Sequence, residues 1–191
     1  MKEFIESPDL LQTIATETEK NSAEAKRLVS GLSEEQLNWT SSPDKWSIAQ
    51  CLEHLSVSTH SFEQYLPAAI KRGREKYPMS SAIAYRPSLI GGWLIKQLMP
   101  ESTRKVPAPK AFRPSQSAIK GSLENFLTHQ DAFLNFVKEA GQLDYNKTRL
   151  RSPVTPLMRY SMADAFVVIV VHGRRHLAQA WRMRETPGFP N

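Results

Sequence analysis

The chain has 191 residues, 40% of them hydrophobic and 23% charged, a formal net charge of +6 and a single cysteine, Cys51. These values suit one globular domain spanning residues 1–191, and the single cysteine excludes an intrachain disulfide framework. The opening MKEFIESPDLLQTI lacks the apolar stretch of a signal peptide, and the most apolar run, Ala165 to Val171, is too short to span a bilayer, so a cytoplasmic protein is expected.

In chain order, the first long helix is expected from about Pro8 to Leu32, with Ser7 as its N-cap, Pro8 in the first helical position and Gly31 near its end. Ser33-Glu34-Glu35-Gln36 reads as a short helical turn. The second helix opens on a capping box, Ser47 with Gln50, and its apolar positions Ile48, Leu52, Leu55, Phe62, Leu66 and Ile70 carry it to about Lys71. Residues 74–114 form a long connection holding six of the 13 prolines, with a short helix expected over Ser88 to Met99. Connections of this length inside a domain are commonly functional or disordered. The third helix is expected to begin near Ser115 or Ser117 and to stop at Gly141. The fourth starts at Ser161-Met162-Ala163-Asp164 and ends before Pro187. No useful run alternates with period two, so the expected class is all-α, a four-helix bundle with long crossover connections.

The positive charge is local. Residues 71–113 hold ten Lys or Arg against Glu75 and Glu101, a net +8 that leaves −2 for the remainder of the +6 chain. This insertion reads either as a flap that attracts an anionic cosubstrate or as a solvated loop. Binding to nucleic acid or a membrane surface is not expected, because no helix-turn-helix, RNA-binding or polybasic-helix signature accompanies the charge.

His172 and His176 are four residues apart on the expected fourth helix. That spacing places two imidazoles on one face, about 5–6 Å apart at Cβ, where they can grip one divalent ion and leave positions open for a third ligand and a substrate. The other histidines are His54, His60 and His129. His54 falls on the flank of the second helix's apolar stripe, His60 on a more exposed face, and His129 between Phe126 and Phe133. Helical position alone leaves both His54 and His129 as candidates.

Trp46-Ser47-Ile48-Ala49-Gln50, followed by Glu53-His54-Leu55 and later by His172-x-x-x-His176-Leu177-x-Gln179, resembles the DinB/YfiT-like superfamily. The resemblance runs from Trp46 to Trp181, and Pro107 to Pro114 is similar to a subset of the family. It implies a DinB-like bundle and a metal held by His54, His172 and His176. It further implies zinc or nickel, with iron and manganese as other candidates, and a homodimer. Characterised members include thiol-cofactor S-transferases and a mycothiol-dependent isomerase, so the resemblance implies a transferase using a low-molecular-weight thiol. A metal-binding stress-associated protein without turnover and a metal-dependent hydrolase are the alternatives. The chain departs from the family pattern in the 74–114 insertion, in Ser152-Pro153-Val154-Thr155-Pro156, where a His-Pro pair is expected, and in Gly173, a helix-weakening residue between the two ligands.

Three residues are candidates for catalytic roles: Arg174 and Arg175 to position an anionic substrate, and Glu53 as a general base. For the arginines the commoner alternative is a solvated charge or a salt-bridge partner across a dimer, and for Glu53 a surface position. Cys51, one turn before His54, reads as a buried thiol that could approach the site. Trp46 and Trp181 read as core anchors at the start of the second helix and the end of the fourth.

Overall fold

The structure is a computed structural model that describes residues 1–79, 81–102, 107–155 and 157–190. Ser80 and residues 103–106 of the expected insertion lie outside the described residues, as does Pro156 of the 152–156 stretch.

Capping sets where the long helices begin. A short helix not foreseen from the sequence, α1 (Lys2–Ile5), buries Phe4. The next helix, α2 (Leu10–Val29), is capped by Asp9, whose carboxylate accepts from the Gln12 amide at 3.1 Å. The expected cap, Ser7, is otherwise engaged: its hydroxyl accepts from the Asp9 amide at 3.1 Å and lies 2.7 Å from Thr13 Oγ1. Gly31, at φ 75°, turns the chain after α2. Ser33 and Gln36 cap α3 (Glu34–Asn38), and Ser47 and Gln50 form the expected capping box of α4 (Ile48–Glu63).

The second long helix does not run unbroken to Lys71. Pro67 has no amide hydrogen for the Glu63 carbonyl one turn earlier, and its ring crowds that carbonyl. The chain therefore breaks at Gln64–Tyr65 and restarts as α5 (Leu66–Lys76), with the proline in its first turn. The short helix expected in the insertion is α6 (Leu89–Leu98). The third long helix, α7 (Ser122–Glu139), begins later than Ser115 or Ser117. The Ser115 amide donates to the Glu53 carboxylate at 2.5 Å, and Gly121 sits at φ 62°, which no right-handed helix continues through. The last helix, α8 (Met162–Arg184), starts at Ser161 in a capping box with Asp164.

A two-stranded antiparallel hairpin amends the purely helical expectation: β1 (Arg149–Arg151) pairs with β2 (Arg159–Ser161). Three residues per strand are too few for alternation to register against background.

Helices α2, α8, α4 and α7 pack in a ring, each against its two neighbours, and α6 lies outside against α8. The buried side chains form two clusters. One holds Phe4, Ile14, Phe62, Phe133, Phe166 and the apolar run through Val171; the other holds Leu28, Leu52, Leu55, Phe126 and Leu177. On α4 the clusters change between Leu55 and Phe62, and on α8 between Val171 and Leu177. His172 lies at the change on α8 with His176 beside Leu177, and His54 lies one residue before the change on α4, so the three mark a polar seam across the bundle. Among the described residues, no helix is long and apolar enough to cross a membrane.

Candidate metal centre

The fold brings together the three histidines singled out from the sequence. One ligand nitrogen from each of His54, His172 and His176 lies within 4.8 Å of the others. His54 and His176 are buried and His172 is partly exposed, so the cluster has one open side. The ring centroids are 4.9 Å apart for His54 and His172, 4.5 Å for His54 and His176, and 4.6 Å for His172 and His176.

The insertion sets the tautomer of His54. Its Nδ1 lies 2.6 Å from the Phe112 carbonyl, which can only accept, so Nδ1 carries the hydrogen and Nε2 keeps its lone pair. That Nε2 faces His172 Nε2 at 3.1 Å. A backbone carbonyl behind a ligating imidazole is a common way to fix ring orientation and raise ligand basicity. Glu53 supports the arrangement from the same helix: by accepting from the Ser115 amide it holds the strap that carries Phe112.

All three imidazoles favour the neutral, ligand-competent form. Burial, followed by the charges of His54 and Arg175, lowers His176 to about 3. Burial, then the charges of His176, His54 and Arg175, holds His172 well below the ordinary histidine value. Burial also lowers His54, against the opposing hydrogen bond to Phe112.

A divalent cation fits this donor set. Nitrogens about 2.0–2.1 Å from a tetrahedral zinc ion lie about 3.4 Å from one another, close to the 3.1 Å between the Nε2 atoms of His54 and His172. Three imidazole nitrogens, one from each ring, within 4.8 Å of one another are a donor set that suits a divalent transition metal.

Trp46 and Trp181 both pack against the second cluster, as the core-anchor reading expects, and Trp46 is also part of the site. It stacks on His176 with ring centroids 5.6 Å apart and leans on His54 at 4.8 Å. Trp181 instead packs under two guanidinium groups, Arg27 at 4.6 Å and Arg184 at 5.5 Å from its ring. Arg174 ties α8 to the N-terminal helices through Glu3, at 2.7 Å, and through Glu17, and lies over the Phe4 ring. Arg175 donates to the carbonyls of Met99 at 3.0 Å and Ser102 at 3.1 Å, so the insertion reaches this side of the centre too. Burial pushes the Cys51 thiol up to about 12, which makes it a poor nucleophile.

His129, the other candidate ligand, stands elsewhere. With His60 and Glu63 it forms a separate cluster in which the Glu63 carboxylate bridges the two rings, 2.8 Å from His129 Nδ1 and 3.0 Å from His60 Nδ1.

Gly173 has a packing explanation. The buried Asn21 amide donates to the Val170 carbonyl at 3.1 Å, and a Cβ on residue 173 would lie 2.5 Å from Asn21 Nδ2. Alanine favours the helix by about 1 kcal/mol over glycine. Displacing the buried amide from its acceptor costs about 1–3 kcal/mol. Gly173→Ala is therefore expected to lower stability by about 1 kcal/mol net in urea unfolding. The double variant Asn21→Ala/Gly173→Ala should be more stable than Gly173→Ala alone; the reverse order would refute this account.

A ring of four helices with three converging imidazoles at its polar seam defines a class of helical-bundle proteins built around a histidine cluster. The DinB superfamily model matches residues 17–180, and the chain belongs to that family. Among solved structures it is similar to YfiT from Bacillus subtilis, described as a probable metal-dependent hydrolase with an unusual four-helix bundle topology. The likeness covers 94% of this chain and 88% of that one at 15% identity and a TM-score of 0.57, which supports the shared fold. No curated protein matches the sequence.

Proposed function

We propose that the protein is a divalent-metal enzyme, with the metal held by His54, His172 and His176, that transfers a low-molecular-weight thiol to an electrophilic small molecule. The observation that supports this reading best is the convergence of one ligand nitrogen from each of three imidazoles within 4.8 Å, with burial favouring the neutral form of all three. A borderline-soft divalent ion such as zinc or nickel suits these donors, and when bound it supplies an uncompensated positive charge that favours the deprotonated form of an incoming thiol or water.

The chain's own residues then have distinct tasks. The Phe112 carbonyl holds the His54 proton on Nδ1 and leaves Nε2 for the ion. Trp46 walls the centre on the His54 and His176 side. Arg175 lies near enough to depress both α8 histidines, and its positive charge also favours an anionic nucleophile or leaving group. Cys51 is buried and its thiol protonated, and the Glu53 carboxylate is bonded to the Ser115 amide. These placements favour a nucleophile brought in by a cosubstrate.

The second reading is a hydrolase, with water as that nucleophile; likeness to the protein described as a probable metal-dependent hydrolase favours it. One assay separates the two. Metal-loaded protein is incubated with an electrophile and an activated ester, with and without bacillithiol, mycothiol or glutathione. Thiol-dependent conjugate supports transfer, and thiol-independent ester cleavage supports hydrolysis. Metal binding with neither activity would favour a stress-associated binding protein. We further propose a single domain that works as a cytoplasmic homodimer.

A further inference from the structure

Six cationic side chains surround a cavity of about 640 Å³ formed by α5 and the hairpin: Arg72, Lys76, Lys147, Arg149, Arg151 and Arg159. No acidic residue lines it, and neither does any residue of the histidine triad. Lys147 is 3.3 Å from the Asp144 carboxylate, whereas the other five have no carboxylate partner among the described residues.

The backbone crowds these charges. In the hairpin register Arg151 stands directly opposite Arg159, and Arg149 lies two residues from Arg151 on the same exposed face. Like charges directly opposite on paired strands destabilise a sheet. On α5, Arg72 and Lys76 are four residues apart on one face, a spacing at which like charges also repel. Gly73 brings the two elements together: a Cβ there would lie 2.6 Å from Thr148 Oγ1 and 3.0 Å from a Leu143 methyl, so only glycine permits this close approach. A solvated basic surface would scatter its charges. Here two separate like-charge pairings, close helix–hairpin packing and a concave shape concentrate them on one volume.

We propose that this cavity binds a small polyanion carrying two or more phosphate groups. Its volume falls in the range of small-molecule sites, about 300–1,000 Å³. Guanidinium groups match phosphate oxygens two at a time. The half-exposed Tyr65 and Tyr77 at its edge offer ring faces to the rest of such a ligand. The site stands apart from the metal centre and does not depend on the function proposed for it.

The test is titration calorimetry of the full chain with inorganic tripolyphosphate at about 0.05 M and 0.15 M salt, levels that differ in electrostatic screening. Binding is expected, weakening with salt. Arg151→Gln/Arg159→Gln should weaken it at least tenfold while raising the melting temperature of the ligand-free protein through relief of repulsion. Lys26→Gln/Lys120→Gln removes the same charge from other exposed positions and should leave binding within twofold. His172→Ala should also leave it unchanged. No heat at 1 mM tripolyphosphate, equal loss in both double variants, or loss in His172→Ala would each overturn the proposal. Stronger binding to single-stranded RNA or to phosphatidylserine vesicles than to tripolyphosphate would overturn it in favour of a macromolecular surface.

Discussion

His172→Ala is expected to lose nearly all bound divalent metal while keeping its helical circular dichroism. His172 provides the partly exposed ring of the triad, with its Nε2 3.1 Å from that of His54. Changing a residue that merely orients a ligand commonly costs about 10–100-fold in metal affinity, so removing a ligand should cost about 100-fold or more. His172 lies at the polar seam between the two hydrophobic clusters, so truncation there removes little apolar packing. His54→Ala should behave similarly, with an added loss of order in the strap at Phe112, whose carbonyl would lose its donor. The cluster of His60, Glu63 and His129 makes the control informative, because it also places ligand atoms within 4.8 Å of one another. At one equivalent of metal per chain, His129→Ala should retain the ion. Elemental analysis after desalting checks all three variants. Unchanged occupancy in His172→Ala, or metal loss confined to His129→Ala, would move the centre to the other cluster.

The histidine cluster was legible because helix geometry converts spacing into position. His172 and His176 announce a shared face, and the Ser47–Gln50 capping box fixes where α4 begins and hence which side His54 takes. The choice of His54 over His129 came from the family resemblance; helical position alone left both open. What escaped the sequence is contact made across long separations by groups with no side-chain signature. The Phe112 carbonyl on His54 is a backbone atom 58 positions away. Trp46 has the same apolar character whether it fills a core or walls a site. The basic segment was visible as composition, but composition could not divide it. Arg72 and Lys76 join the hairpin arginines at a separate cavity, whereas the insertion reaches the histidine cluster through the carbonyls of Met99, Ser102 and Phe112. The break after Glu63 was present in the sequence as Pro67, and the continuing apolar spacing through Ile70 masked it.

Asp164 was legible only as part of a helix start, yet it clasps the insertion to the bundle, and Asp164→Ala should be among the most damaging substitutions outside the core. The side chain is fully buried. It accepts from the Tyr85 hydroxyl at 2.7 Å, from the Ser88 amide at 3.3 Å and from the Ser161 amide at 3.1 Å. Burial and then the Asp164 charge hold the Tyr85 phenol far above its ordinary value, so it remains a donor. Gly91 completes the clasp: a Cβ there would lie 2.1 Å from the Asp164 carboxyl carbon, and a carboxylate held by three donors has no room to yield. Alanine at 164 breaks the α8 capping box, worth about 1 kcal/mol. It also leaves a buried hydroxyl and two amides without their acceptor, at about 1–3 kcal/mol each where water cannot replace it. A total loss of about 4 kcal/mol is expected, which for a chain of this size is a fall in melting temperature of about 8–16 °C. Asp164→Asn keeps one acceptor oxygen and the side-chain volume, and should lose about half as much. Hydrogen exchange supplies the local readout. In Asp164→Ala, and in Gly91→Ala by the steric route, amides of α6 should exchange faster than those of α4 and α7. Uniform acceleration across the bundle, or a stability loss below about 1 kcal/mol, would show that the insertion is held by its apolar contacts and not by this carboxylate.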